Sequence, residues 1–189
     1  MIPEDKGRIP ISEMKRTMTD TIPYEITGTA GEIEFRKYPV LVLATVDSSG
    51  DRSGFNLLFS YITGKNTAQN SISMTSPVIT SQEIAMTAPV VSDTESMSFV
   101  MPPGKSRDDI PEPLDNRVQI TTLSGREVAV IRFKGYAREE EVAAAEERLR
   151  EGLKDAGIEP VGEPFLMRYN PPWKPGFLRR NEVGLEIKR

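Results

Sequence analysis

The side chains best suited to binding a small molecule lie in one segment near the end of the chain. Positions 173 to 180 combine apolar and cationic side chains: Trp173, Lys174, Phe177, Leu178, Arg179 and Arg180. Apolar surface rimmed by Arg and Lys is what a flat ligand with carboxylate groups requires. In the structural alternative, Trp173 and Phe177 pack in the core and the cations are solvated. We favour the core for the two aromatic side chains and leave the role of the cations open.

A second candidate surface lies on a short helix in the first half of the chain. Asp51 or Ser53 is expected to cap its start, and Gly64 lies just past its end. Four apolar residues at i, i+3, i+4 and i+7 predict a single stripe that faces the core: Phe55, Leu58, Phe59 and Ile62.

Leu57 and Tyr61 then fall on the solvent side of this helix, with Gly54 near them. Surface helices usually carry polar residues at such positions, so an apolar pair there indicates contact with something else. A flat apolar ligand could lie on this face, and Gly54 would permit close approach. Equally, the N-terminal arm or a loop could cover it.

The absence of histidine and cysteine restricts the possible chemistry most strongly. It excludes disulfides, thiol redox chemistry, Ser-His and Cys-His catalysis, and the usual zinc sites. No pair of acids has the spacing of a glycosidase or protease, and residues 28–31 lack the lysine of a phosphate-binding loop. An enzyme would have to use Glu, Asp, Tyr, Lys or Ser, and no arrangement indicates which. We therefore predict that the protein is not an enzyme.

Length and charge favour one soluble domain. A chain of 189 residues suits a single core, and its net charge of −4 argues against general nucleic-acid binding. Neither a secretory signal nor an apolar run of about 18 residues is visible. We expect a cytoplasmic monomer without a transmembrane segment or structural metal.

The pattern along the chain predicts an α+β fold. Residues 1–23 are expected to form an extended or partly mobile arm, although Ile9, Ile11 and Ile22 could dock on the domain, and residues 24–189 form that domain. Two halves, about 31–101 and 117–188, each show strand, strand, helix and strands. The second helix is expected from Glu139 to Ala156, with Gly157 after its end. We infer a pseudo-two-fold domain of antiparallel strands with two helices packed outside.

A repeated element lies between the first helix and the next predicted strand. The segment Ile72–Val78, with the sequence ISMTSPV, returns as Ile84–Val90, with the sequence IAMTAPV. Each copy is typical of a strand marked by proline, so a hairpin is predicted. Met74 and Met86 are expected to serve as buried packing.

This element resembles the Met-Thr-x-Pro-Val motif of the SOUL/haem-binding protein family. Further motifs match in the order of that family: Glu34–Pro39, Phe59–Gly64, Met97–Pro102, Val130–Tyr136, Tyr169–Trp173 and Phe177–Val183. The resemblance covers about Gly31 to Ile187. It implies a distorted, barrel-like sheet flanked by two helices, with a distant likeness to bacterial effector-binding domains.

The resemblance also implies reversible binding of haem or a related tetrapyrrole for buffering, transport or sensing. It points to these ligand-binding residues: Arg52, Gly54, Leu57, Leu58, Tyr61, Lys174, Arg179 and Arg180. Some members of the family are assigned a histidine ligand to iron, and that role cannot be transferred to this chain. Iron would then be unligated, or held by Tyr61, a Met or a Lys.

An alternative function follows from the distant likeness. Effector-binding relatives keep an acid for cationic ligands where Glu182 opens the last strand. A surface glutamate, or an ion pair with Arg180, explains Glu182 more plainly. The alternative is a small-molecule effector or regulatory module that is not specific for porphyrins.

Overall fold

A nine-stranded antiparallel sheet forms the centre of the fold. The structure, a computed structural model, describes residues 20–47, 52–81, 96–171 and 173–188. The side chains of Asp20, Arg52 and Ser81 lie outside this description. The elements are, in chain order, β1 (Asp20–Thr21), β2 (Glu25–Ala30), β3 (Ile33–Tyr38), β4 (Leu41–Asp47), α1 (Arg52–Ile62), β5 (Thr75–Ser81), β6 (Ser96–Val100), β7 (Gln119–Leu123), β8 (Arg126–Phe133), α2 (Glu139–Asp155), β9 (Pro160–Arg168) and β10 (Asn181–Ile187). Short 3-10 turns occupy Arg107–Asp109 and Gly176–Leu178.

The strand order is β2-β3-β8-β10-β9-β5-β6-β4-β7, and β1 pairs in parallel with β5. The half β3-β4-α1-β5-β6 corresponds element by element to the half β7-β8-α2-β9-β10. If each strand is exchanged with its counterpart, the sheet order from β3 to β7 is the same order read backwards. The strand order therefore has the predicted pseudo-two-fold relation, with the axis between β9 and β5. The antiparallel α+β arrangement with two helices is confirmed.

The sheet is open, so the barrel-like part of the prediction was wrong. Its two end strands, β2 and β7, do not pair with each other in the described residues. Closure between the two halves would require β3 to pair with β7. Both edges of β3 are already occupied, because β2 pairs along one edge and β8 along the other. The sequence did not predict β2.

Both helices pack on the same face of the sheet. Ala145, Leu149 and Leu153 of α2 are buried against strands of the second half and β3, while α1 covers Ala44 and Phe99. Because side chains alternate along a strand, the intervening residues form a third buried cluster on the other side. We call that side the opposite face; its buried apolar residues are Ile22, Tyr38, Leu43, Ile79, Val100, Val128, Val130, Phe165 and Met167.

The second helix agrees closely with its prediction, since α2 spans Glu139–Asp155 and Gly157 adopts a φ of +68° after it. The first helix forms where expected, and Phe55, Leu58 and Ile62 of its predicted stripe face the core. The prediction was wrong for Phe59 and Tyr61. Tyr61 is 1% exposed, whereas Phe59 is 47% exposed. Burial suits Tyr61 because its hydroxyl donates a hydrogen bond of 2.7 Å to the carbonyl of Pro111. Phe59 instead stacks on Phe55, with ring centroids 6.0 Å apart.

The repeated element is only partly described. Only the second part of its first copy lies in a strand, because β5 begins at Thr75. This strand pairs with β6 and β9. The second copy, which includes Met86, lies outside the described residues, so the hairpin between the copies stays a prediction. Met74 packs, partly buried, against the core under α1.

The segment before β2 lies on the opposite face. Ile22 is 3% exposed, and its amide donates a 3.0 Å hydrogen bond to the carbonyl of Ser76. The Tyr24 ring packs on Tyr38, with centroids 5.5 Å apart. Ile22 therefore docks on the sheet. The rest of the predicted arm up to residue 19, with Ile9 and Ile11, lies outside the described residues, and the domain boundary at residue 24 stays a prediction. In the part of the chain that the structure describes, no helix has the length and apolar composition needed to cross a membrane.

Candidate functional site

The predicted binding residues of α1 differ widely in exposure. Gly54, Leu58 and Tyr61 are buried, and Leu57 is half-buried. Arg52 opens the helix. The helix packs on β4 and β6, so only part of the predicted α1 surface is open to a ligand.

Tyr61 does not suit ligation of iron. Its hydroxyl proton is donated to a backbone carbonyl, and burial raises the pKa of its phenol to about 12. A tyrosinate ligand would have to lose both that proton and that hydrogen bond. Among the described residues, no group of three or more Asp or Glu could hold a metal ion.

A small cavity lies beside α1. It is lined by Leu57, Ser60, Tyr61, Lys65, Pro113, Asp115, Arg117 and Val118 and has a volume of about 100 Å³. Sites for drug-sized ligands typically enclose about 300 Å³ or more. This cavity is therefore too small to enclose a porphyrin.

The loop between β9 and β10 presents large apolar side chains to solvent. Trp173 is 82% exposed, Phe177 is 71% exposed and Leu178 is 54% exposed. The expectation that Trp173 and Phe177 pack in the core was therefore wrong. Tyr136, which is 51% exposed, lies against this loop. We call Tyr136, Trp173, Phe177 and Leu178 the aromatic platform.

The platform rests on an ordered backbone. The amide of Gly135 donates to the carbonyl of Gly176 at 3.1 Å, and the amide of Arg180 donates to the side-chain oxygen of Asn170 at 2.7 Å. A Cβ built on Gly176 would collide with the Tyr136 ring, so glycine permits this close approach. These local bonds hold the loop against Tyr136 and leave its apolar side chains outside the core, which explains the incorrect prediction.

Two of the predicted cations flank the platform. The Arg179 guanidinium lies 4.7 Å from the Tyr136 ring centroid, and its Nε donates to the carbonyl of Lys174 at 2.6 Å. The guanidinium of Arg138, which the sequence did not single out, lies 5.4 Å from the same ring. Lys174 and Arg179 are half-buried, so cationic and apolar surface adjoin here.

Arg180 serves a different cluster. Its guanidinium lies 4.1 Å from the Tyr169 ring centroid, and both its Nε and Nη2 donate to Oε1 of Glu182. The structure thus brings Lys174 and Arg179 together and directs Arg180 towards a buried carboxylate.

The strand register relates the loop to α1. Arg168, at the end of β9, pairs with Val78 of β5, which pairs with Phe99 of β6. The Phe99 ring in turn contacts Phe55 of α1 edge-on, with centroids 5.3 Å apart. With strands about 4.8 Å apart, the start of the loop lies roughly 10 Å from the strand beneath α1. The platform itself lies against Tyr136, just after β8 and before α2, and β8 is four strands from β6 in the sheet order.

Glu182 is the centre of a buried polar cluster on the opposite face. It is 0% exposed, so the surface interpretation was wrong, whereas the predicted ion pair with Arg180 is present at 2.7 Å. Its other donors are Arg36 Nη1 at 2.6 Å, Arg36 Nη2 at 3.1 Å, Tyr169 Oη at 2.8 Å and Arg132 Nε at 3.2 Å. We call Glu182 and these four partners, Arg36, Arg132, Tyr169 and Arg180, the Glu182 cluster.

Electrostatics keep this carboxylate ionised. Burial alone would raise the pKa of Glu182, but the hydrogen bonds and charge of Arg36, with Tyr169 and Arg180, lower it to about 2. Arg36 is itself 1% exposed and also donates to Glu34 and Tyr38. Sequence reasoning missed Arg36 because its partner Glu182 lies 146 positions away.

The family comparison now identifies the chain. The family model described as SOUL heme-binding protein matches residues 19–186. The chain belongs to the SOUL family. It is 30% identical over 132 residues to Heme-binding protein 1 of Xenopus laevis, an alignment that covers 70% of this chain and 68% of that protein. The resemblance stated from the sequence motifs is confirmed.

Solved structures share the fold of this SOUL protein at low sequence identity. The EcmrR C-terminal domain is 10% identical, with a TM-score of 0.57 and coverage of 88% of this chain and 98% of that one. A hydrolase from Listeria innocua is 12% identical, with a TM-score of 0.55 and coverage of 94% and 97%. At such identity these likenesses show the fold alone.

Proposed function

We propose that this SOUL protein binds haem and related tetrapyrroles reversibly, as a buffer, carrier or sensor. The observation that carries the proposal is the aromatic platform, in which exposed Trp173 and Phe177 adjoin Lys174 and Arg179. Membership of a heme-binding family supports the same ligand class.

The chemistry of the platform matches that of a porphyrin. Its aromatic and aliphatic side chains offer a surface on which a flat ring loses contact with water. The ring's propionates require cations, and Lys174 and Arg179 lie beside that surface. The residues of α1 that the family resemblance singled out, Arg52, Gly54, Leu57, Leu58 and Tyr61, stay proposed contacts. Leu57 and Tyr61 line the cavity beside Pro113 and Val118, so they would form a second contact surface, separate from the platform. Arg180 is included through the Glu182 cluster, where it orders the start of β10.

Binding is proposed to be independent of iron. The chain has no histidine or cysteine, and the hydroxyl of Tyr61 is committed to Pro111. Affinity would then come from burial of the ring and from the propionates, which haemin and iron-free protoporphyrin share. Contacts without a coordinate bond make for a reversible complex.

Titration with haemin and with protoporphyrin tests the proposal. Trp173 is the single tryptophan, so a porphyrin on the platform should quench the intrinsic fluorescence while the porphyrin absorption band shifts. Phe177→Asp and the double change Lys174→Glu, Arg179→Glu should weaken both signals. Val40→Asp is the matched control, because Val40 is 63% exposed and lies between β3 and β4. The absence of saturable binding by either ligand would refute the proposal.

A second candidate is a module for effectors other than porphyrins, which the pseudo-two-fold strand order supports. Glu182 is its proposed acid, but it is fully buried, so a cationic ligand would have to displace Arg36. Cationic amphiphiles should then raise the melting temperature, and Glu182→Gln should abolish the increase. An unchanged melting temperature across such a panel would count against this candidate.

A further inference from the structure

We propose that the aromatic platform also docks the protein on the surface of an anionic lipid bilayer. The proposal uses the same surface as tetrapyrrole binding but does not require a bound tetrapyrrole. It commits to one partner, a membrane with acidic headgroups.

The exposure of the apolar side chains is built into the backbone of the loop. The amide of Leu178 donates a hydrogen bond of 3.0 Å to the carbonyl of Pro175, and the amide of Arg179 donates one of 2.9 Å to the carbonyl of Gly176. Gly176 is buried against Tyr136. An ordered turn that points Phe177 and Leu178 into solvent has little conformational entropy left to lose on binding.

The exposed side chains are of the types that favour a membrane surface. Trp and Tyr favour the membrane–water interface, because their rings are apolar at one end and polar at the other. Trp173 and Tyr136 have this character, and Phe177 and Leu178 add purely apolar surface beside them. The four side chains lie on adjoining segments, so a flat interface can engage them together.

The charge near the platform is slightly positive. The segments 132–141 and 173–182, which surround the platform, contain six Lys or Arg and four Glu, an excess of two positive charges, whereas the chain as a whole carries −4. Glu182 is buried and pairs with Arg132 and Arg180. The remaining charged residues are Lys134, Arg138, Lys174 and Arg179 against Glu139, Glu140 and Glu141. The platform therefore lies among side chains with a small excess of positive charge, which suits an acidic headgroup surface.

Vesicle binding of the full, ligand-free chain tests this inference. Vesicles of phosphatidylcholine alone are compared with vesicles that also contain phosphatidylserine, by co-sedimentation and by Trp173 fluorescence. We expect binding to the mixed vesicles with a blue shift, quenching by brominated lipid, and loss of binding as salt is raised. Phe177→Asp should weaken the partition by about tenfold, because it removes apolar contact and adds a negative charge.

The controls separate this inference from the proposed function. Val40→Asp carries the same change in charge at an exposed position outside the two segments, and should bind vesicles as the wild type does. Vesicle binding is measured without tetrapyrrole, and the haemin titration without lipid, so either proposal can fail alone. Absence of binding to the mixed vesicles, equal binding to neutral vesicles, or full binding by Phe177→Asp would each overturn the inference.

Discussion

Replacing Glu182 by Gln should destabilise the fold by several kcal/mol. The carboxylate is 0% exposed and accepts hydrogen bonds from Arg36, Arg132, Tyr169 and Arg180. Gln has nearly the same shape but no charge, and its amide nitrogen would face donors. Among the described residues, Arg36 would keep Glu34 as its one carboxylate partner. Breaking one side of a buried ion pair costs about 3–5 kcal/mol.

The pH dependence gives an independent magnitude. Folding lowers the pKa of Glu182 from 4.5 to about 2, which corresponds to about 3 kcal/mol of stability. Because the folded pKa is the lower one, this stability is present above pH 4.5 and is lost as the pH falls towards 2. The curves for wild type and Glu182→Gln should therefore converge in acid. The lowered pKa values of Asp109 and Asp115 are common to both proteins and cancel in the difference.

Urea unfolding followed by far-ultraviolet circular dichroism is the suitable assay. Trp173 is 82% exposed, so its fluorescence is a poor probe of the core. Glu163→Gln is the control, since Glu163 forms an exposed ion pair with Arg150 at 3.6 Å and should change stability by less than about 1 kcal/mol. If Glu182→Gln matched this control at neutral pH, the stabilising role of the Glu182 cluster would be refuted.

Three further substitutions test other parts of the structure. Gly176→Ala should lower the free energy of unfolding by about 1–3 kcal/mol, because its Cβ would collide with Tyr136; a neutral result in urea would contradict the close contact. Leu149→Ala, on the buried side of α2, should lower the free energy of unfolding by about 2–5 kcal/mol. Its control, Leu114→Ala at a 63% exposed position, should lower it by less than about 0.5 kcal/mol. Tyr61→Phe should cost about 0.5–1.5 kcal/mol through loss of one hydrogen bond and leave haemin titrations unchanged; weakened binding of haemin alone would identify an iron ligand.

Elements with strong local signals could be predicted from the sequence. The helix α2 carries an apolar stripe, three glutamates in its first turn and Gly157 after its end, and each of these depends only on neighbouring residues. The strand β2 lacks such a signal. It is an edge strand with mostly exposed side chains, and a bulge interrupts its pairing between Ile26 and Gly28. An alternating apolar pattern is weak where neither face is deeply buried.

The candidate site was only partly predictable because it depends on tertiary contacts. The cations Lys174 and Arg179 were found by their spacing to aromatic residues. The exposure of Trp173 was not predicted, because composition favours burial of an aromatic side chain. The hydrogen bonds that hold the loop outside the core cannot be seen in the sequence. Tyr61 was misplaced for a related reason: its hydroxyl is satisfied by Pro111, 50 positions away. Such a partner permits burial at a position that the helical pattern assigns to solvent.

Parallel titrations with haemin and iron-free protoporphyrin test whether this SOUL protein binds tetrapyrroles without a bond to iron. We expect saturable binding of both ligands with similar affinity and quenching of Trp173. Both signals should be lost on Phe177→Asp but not on Val40→Asp. Binding of haemin alone would contradict this expectation, because a protein ligand to iron would then carry the affinity. Binding of neither would leave the SOUL fold in place and exclude the tetrapyrrole function.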